Sequence, residues 1–324
     1  MNKPHLPPFK VEKVKGFRLL AALSNWMFKH FKIKGIWEHT QGELVKVCVL
    51  DTGCGHKDID VKKAKDFTGK GIEDKNGHGT WVGGCIRATM GFLGIAPKCE
   101  LYVGKILTND GAGEWDWMKQ GLEWAEEEGV DVINISAGGD YSGKEIQPVI
   151  KRLADKGVLI VCAAGNSGAL LIYPASDPNT IAIGACTEEW ERAEFSSFGP
   201  CLIALVPGVD LLGCWLDNGY AEATGTSMAS PGAAGVLALE KRLRPMNLKQ
   251  AIARFALTCT DVGLEEGWDV GTGWGIIDPW KFLKLEPSGK KTTWKWIWSL
   301  IAFLLFYWLF GLPVVSIKKM VKGR

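Results

Sequence analysis

Three short motifs carry side chains that can activate a hydroxyl and attack a carbonyl. Ser227 stands in Gly225-Thr226-Ser227-Met228-Ala229-Ser230-Pro231, a run of small residues that presents a hydroxyl where a helix toward Leu243 should open. Pro231 is expected in the first turn of that helix, where proline is tolerated. Asp51 stands in Val49-Leu50-Asp51-Thr52-Gly53 and His78 in Asn76-Gly77-His78-Gly79-Thr80, each set among glycines. A free hydroxyl is a weak nucleophile. It becomes a strong one when an imidazole takes its proton and a carboxylate holds that imidazole in the right tautomer. In that scheme Ser227 attacks, His78 takes the proton and hands it to the leaving amine, and Asp51 stabilises the imidazolium. The helix start at Ser227 adds a backbone N–H and a favourable field for a developing oxyanion. Singly the motifs are weaker: Asp51-Thr52-Gly53 reads as a strand-end turn, and an isolated His78 as a core or surface histidine. Only the Ser227 run resists a plain reading.

The order Asp, His, Ser and the three signatures together resemble the subtilisin-like serine proteases, over about residues 37 to 285. The resemblance implies a three-layer α/β fold with a mostly parallel central sheet, and a serine endopeptidase that works through an acyl-enzyme. It implies Asn166, in Ala163-Ala164-Gly165-Asn166-Ser167-Gly168, as the side-chain donor of the oxyanion hole. It also implies that extended peptides add as strands beside Gly111-Ala112-Gly113 and Ser136-Ala137-Gly138-Gly139. Ala163, Ala164 and Gly165 would then wall the pocket for the residue before the cut. No cofactor is implied. A structural calcium is possible in the family, but residues 88–94 are shorter than the usual loop and lack its Asn and Asp oxygens. Trp81 stands where histidine is common and is expected to pack under the site. Tyr173-Pro174 resembles a family turn that often carries a cis bond. Leu6-Pro7-Pro8-Phe9 resembles the short leader of the intracellular subtilisins, and Cys54 fits the same subgroup. The chain's own residues 1 to about 15 are therefore a candidate inhibitor that lies across the site.

A catalytically silent subtilisin fold that holds peptides at a membrane is disfavoured because all four site positions are intact. An esterase of α/β-hydrolase type needs Gly-x-Ser-x-Gly with its acid after the serine, whereas Gly225-Thr226-Ser227-Met228-Ala229 lacks the second glycine and the order Asp51, His78, Ser227 is wrong for it.

Elements must bring these residues together. Short apolar runs at Leu44 to Leu50, Leu101 to Leu107, Val130 to Ser136, Val158 to Ala164, Thr180 to Cys186 and Leu202 to Val206 read as buried strands. Helical patterns fall between them at Gly113 to Glu128 and Ile146 to Lys156, and a capped helix at Asn247 to Leu257. Such alternation predicts a parallel sheet covered on both faces, with ligands beyond the carboxyl ends of its strands. Asp51, Ser136 and Asn166 all fall at that edge.

Composition narrows the class. The 324 residues carry a net charge of +2, which gives no case for a nucleic-acid partner. The nine cysteines are scattered, without CxxC pairs, and read as buried free thiols of a reducing compartment; no metal site is expected. Residues 1–36 form a basic leader without a signal peptide, and Arg18 to Lys32 reads as a helix, either on the surface, where it could touch acidic lipid, or as a solvated or packed leader helix, the reading favoured. Residues 37–285 form the peptidase domain and 286–296 a linker. Residues 297–317 hold no charge and read as a membrane-spanning C-terminal apolar helix, followed by a basic tail at 318–324. The expected arrangement is a cytoplasmic catalytic domain, anchored to a lipid bilayer, acting on peptides or proteins.

Overall fold

The apolar runs become strands because their residues can be buried on both sides at once. A computed structural model describes residues 3–14, 25–90, 92–140, 145–264 and 266–284. Along the chain run β1 (Lys10–Lys13), α1 (Trp26–Phe31), α2 (Ile33–Ile36), β2 (Lys46–Asp51), β3 (Val61–Asp66), α3 (His78–Arg87), β4 (Thr89–Met90), β5 (Phe92–Leu93), β6 (Glu100–Lys105) and α4 (Trp115–Glu127). Then come β7 (Val132–Ile135), α5 (Gln147–Asp155), β8 (Leu159–Ala163), β9 (Ile181–Cys186), β10 (Leu202–Pro207), β11 (Leu211–Cys214), β12 (Tyr220–Thr224), α6 (Thr226–Leu243), α7 (Leu248–Thr258) and α8 (Pro279–Lys284).

Seven strands form one sheet in the order β10-β9-β8-β7-β2-β6-β3, and every neighbouring pair is parallel. Alternation along each strand divides the core. Val47 and Val49 of β2 join Val132, Leu159 and Val161 in a core shared with α3 and α6, while Cys48 and Leu50 join Ile133, Ile135 and Ile160 under α4 and α5. The chain crosses from β6, on one side of β2, to β7, on the other. That switch opens a crevice at the carboxyl ends of the strands, and Asp51 is the last residue of β2.

Several elements depart from expectation. β3 reads Val61-Lys62-Lys63-Ala64-Lys65-Asp66, an edge strand whose lysines discourage edge-to-edge pairing and hide its apolar signal. The leader helix over Arg18 to Lys32 is described only from Asn25 onward, and that part is the packed alternative rather than a surface helix: Met27, Phe28 and Phe31 are buried, and the Asn25 side chain caps the Met27 N–H at 3.0 Å. Pro231 is the sixth residue of α6 rather than in its first turn. Asn247 caps α7 with a full capping box to Gln250. The Tyr173–Pro174 bond is cis. All nine cysteines are free, and seven of them are buried. The linker 286–296, the apolar helix expected at 297–317 and the basic tail 318–324 lie outside the described residues.

Glu126 ties the two helices of one face together. It accepts from Arg152 Nε at 2.9 Å and Nη2 at 2.7 Å, and pairs with Lys156 Nζ at 2.8 Å. Hydrogen bonding from Arg152 holds its carboxyl at about 2. A depressed carboxyl stabilises the fold above its ordinary value and loses that contribution as pH falls through the folded value. Urea midpoints of the native chain and Glu126→Gln should therefore differ by a constant gap above about pH 6 and converge toward about pH 2. A gap that stays constant at acid pH would show that the clasp contributes nothing.

Candidate active site

Asp51 and His78 meet without water. Both side chains are fully buried, and Asp51 Oδ1 lies 2.8 Å from His78 Nδ1. A carboxylate only accepts, so Nδ1 carries the proton and Nε2 keeps its lone pair for an incoming proton. The same Oδ1 accepts the Thr52 N–H at 2.7 Å, which fixes its direction. His78 opens α3, and the close approach of α3 to β2 requires Gly79: a Cβ there would lie 2.1 Å from the Gly53 carbonyl oxygen.

Two further residues hold this arrangement, and neither was singled out from sequence. Asp74 gathers the loop before α3. Its carboxylate accepts from the Asn76, Gly77 and Thr80 N–H groups at 3.0, 2.9 and 2.9 Å, and from the Thr52 and Thr80 hydroxyls at 3.0 and 2.6 Å. The available signal was Asp74-Lys75-Asn76-Gly77, an Asx-type turn before a helix. Lys105 is fully buried at the end of β6, beside Asp51 in the ladder. Its ammonium donates to the Thr52 carbonyl and to Asn109 Oδ1. Burial pushes it below its ordinary value, against the opposing pull of Asp74, Asp66 and Asp51. A lone cation in an otherwise apolar strand was the hint that it must serve nearby carboxylates.

Ser227 is the second residue of α6. Because Pro231 has no N–H, the Ser227 carbonyl loses its helical partner four residues on. The Ser136 hydroxyl takes that place at 3.2 Å, while also contacting Ser230 Oγ at 2.8 Å and accepting from Asn134 Nδ2 at 3.0 Å. Ser227 Oγ in turn donates to the Ser136 carbonyl at 3.2 Å. Among the described residues His78 Nε2 is buried without a hydrogen-bond partner, so the hydroxyl is not engaged by the imidazole.

Asn166 is oriented by the start of the same helix. Its Oδ1 accepts from the Thr226 N–H and hydroxyl, both at 2.8 Å, which leaves Nδ2 facing the cleft. There it donates to the Pro8 carbonyl at 2.7 Å. The rest of the leader lies along the expected segments. His5 exchanges both backbone hydrogen bonds with Gly138, at 3.0 and 3.1 Å, and forms a bridge to Ala112. Leu6 N–H donates to Gly111 at 3.0 Å, and Gly113 N–H donates to the Pro4 carbonyl at 2.8 Å. Gly111 sits at φ +81° under the Leu6 side chain, where a larger residue would intrude. Phe9 then packs edge-on against His78, centroids 4.8 Å apart. Ala137, Ala163 and Ala164 are buried, and Ile172, not foreseen, packs over Gly138 and Gly165.

This is an extended peptide laid between two backbone segments and ended on an amide donor. The subtilase family matches residues 42–275. The chain belongs to the subtilase family. Among relatives, Subtilisin BL of Lederbergia lenta is 41% identical over 211 residues, covering 63% of this chain and 78% of that protein. M-protease of Shouchella clausii is 41% identical over 211 residues, which are 63% of this chain and 56% of the relative. The intracellular serine protease of Paenibacillus polymyxa is 37% identical over 227 residues, 64% of this chain and 70% of the relative. This subtilase is accordingly a serine endopeptidase, and subtilases need no organic cofactor.

The comparisons correct one expectation. Membrane anchoring is withdrawn: among the described residues no helix is long and apolar enough to cross a membrane, and an intracellular protease stands among the relatives. In the short stretch where the family loop would lie, Thr89 and Met90 pair antiparallel with Leu93 and Phe92. Among the described residues, His56, Asp58 and Cys214 form a buried group, but both imidazole nitrogens are engaged, Nδ1 by the Asp58 N–H at 3.1 Å and Nε2 by the Gly219 carbonyl at 3.1 Å. The His56 imidazole therefore has no lone pair free for an ion as it stands. Trp81 is fully buried under the site and donates to the Ala221 carbonyl at 3.2 Å.

Asp74→Ala removes five accepted hydrogen bonds in one step. It should lower the free energy of unfolding by about 2–4 kcal/mol, read as a shifted urea midpoint at unchanged slope. A change within about 0.5 kcal/mol would show that water replaces the carboxylate at no cost.

Proposed function

We propose that the chain hydrolyses peptide bonds by acyl transfer to Ser227, and that its own residues 3–9 hold the site shut until they leave. The observation that carries the reading is the Pro8 carbonyl on Asn166 Nδ2 at 2.7 Å, with Phe9 against His78. A carbonyl held there is where a scissile one would sit. His78 Nε2 would take the Ser227 proton as Oγ attacks, and Asp51 would stabilise the imidazolium that forms. Asn166 Nδ2 and the Ser227 N–H would hold the oxyanion. His78 would then protonate the departing amine, and water would release the acyl group by the reverse path. Gly111, Ala112, Gly113, Ser136, Ala137 and Gly138 supply backbone for strand addition. Ala163, Ala164 and Gly165 line the pocket before the cut, with Ile172 at its side.

The leader fits the cleft as a substrate would, yet it is a poor one. Pro7 and Pro8 have no N–H to give to either flanking segment. Ser227 Oγ, with the leader in place, donates to Ser136 rather than to His78.

A fluorophosphonate probe tests both parts. The full chain should label slowly, Ser227→Ala should not label, and deletion of residues 2–14 should raise the labelling rate at least tenfold. Equal labelling of Ser227→Ala would move the nucleophile elsewhere. An unchanged rate after the deletion would end the inhibitory role of the leader.

A further inference from the structure

Beyond Phe9 the leader does not leave the protein. It continues as β1 along the free edge of β12, in the three-stranded sheet β1-β12-β11. The register is antiparallel, with Lys10 opposite Thr224, Val11 opposite Ala223, Glu12 opposite Glu222 and Lys13 opposite Ala221. The Val14 N–H extends the ladder to the Tyr220 carbonyl at 3.0 Å. β12 ends three residues before Ser227, so this ladder is the leaving-group side of the same cleft.

One pair in the register is wrong for binding. Residues directly opposite in an antiparallel pair share a face, and like charges there are destabilising. Glu12 and Glu222 are opposite, both are exposed, and neither is in an ion pair among the described residues. On the far side of β12, Glu222 faces the apolar Leu212. Lys10 shares the face but stands opposite Thr224, on the diagonal. A carboxylate is thus set at a fixed point of the docking edge, and the leader meets it with another carboxylate.

We propose that Glu222 is a specificity-determining residue for the leaving-group side: it favours substrates with lysine or arginine at the fourth residue beyond the carbonyl held by Asn166, and Glu12 makes the leader a weak occupant of the same edge. The inference rests on the reading of the leader as a substrate-like plug. Because the pair is exposed, its effect is modest and screened by salt.

The test uses full-length variants. Leu6→Asp, which breaks docking at Gly111, checks the plug itself and should speed fluorophosphonate labelling. Glu12→Lys should slow labelling about two- to fivefold, Glu222→Lys should do the same, and the double exchange should return the rate to that of the native chain. In the Leu6→Asp background, two peptides alike except for Lys or Glu at the fourth position should differ about two- to fivefold in kcat/KM in favour of Lys. Glu222→Gln should abolish that preference, Glu222→Lys should reverse it, and added salt should shrink it. If Leu6→Asp speeds labelling while the double exchange is the sum of the singles, and the peptides are cut alike, Glu222 has no such role and the plug survives. If Leu6→Asp changes nothing, the plug reading fails and the inference falls with it.

Discussion

The site depends on one buried contact, Asp51 Oδ1 to His78 Nδ1. A carboxylate taken fully out of water is costly unless its lone pairs are used and a cation lies near. The fold meets that demand in part, from three directions, and leaves Oδ2 buried without a hydrogen-bond partner among the described residues. The Thr52 N–H and the imidazole N–H occupy Oδ1, the Lys105 ammonium sits at the neighbouring strand end, and Asp74 fixes the loop that delivers His78. Parallel pairing of β2 with β6 places Asp51 beside Lys105, so sheet register and site electrostatics are the same fact.

The second half of the site uses a defect of α6. Pro231 breaks one helical hydrogen bond, and the carbonyl it leaves belongs to Ser227. Ser136, at the end of β7, fills the vacancy and so locks the start of the helix onto the sheet. Thr226, one residue earlier, orients Asn166 from the end of β8. Two neighbouring strands of the sheet, β7 and β8, thereby converge on one helix start. The leader's His5 and Leu6 bond to Gly138 and Gly111, in the two segments proposed to take a substrate.

Much of this was legible in the residues. The six buried strands and helices α4, α5 and α7 follow from apolar runs and helical periods, while Asp51, His78 and Ser227 are candidates from local motifs and Asn166 is one from the family resemblance. What escaped did so for physical reasons. β3 is masked by its lysines. β11 and β12 are short, and Glu222 breaks the apolar pattern of the latter. The mixed aromatic and basic character of residues 18–32 leaves a surface and a packed helix open, and Met27, Phe28 and Phe31 turn inward. Asp74, Lys105 and Ile172 are meaningful only through long-range partners, which spacing along the chain does not reveal. The apolar stretch near the C-terminus suggested an anchor on composition alone, and no described helix has the length and character to be one.

The central claim is that the Asp51–His78 pair, rather than burial or binding alone, gives Ser227 its reactivity. The most direct measurement is the turnover of Asp51→Asn against the native sequence, in the same leader background and with matched thermal stability. Asparagine keeps the shape but offers the imidazole the wrong hydrogen-bonding partner, and kcat should fall about 10⁴-fold. A kcat within tenfold of the native value would contradict the account.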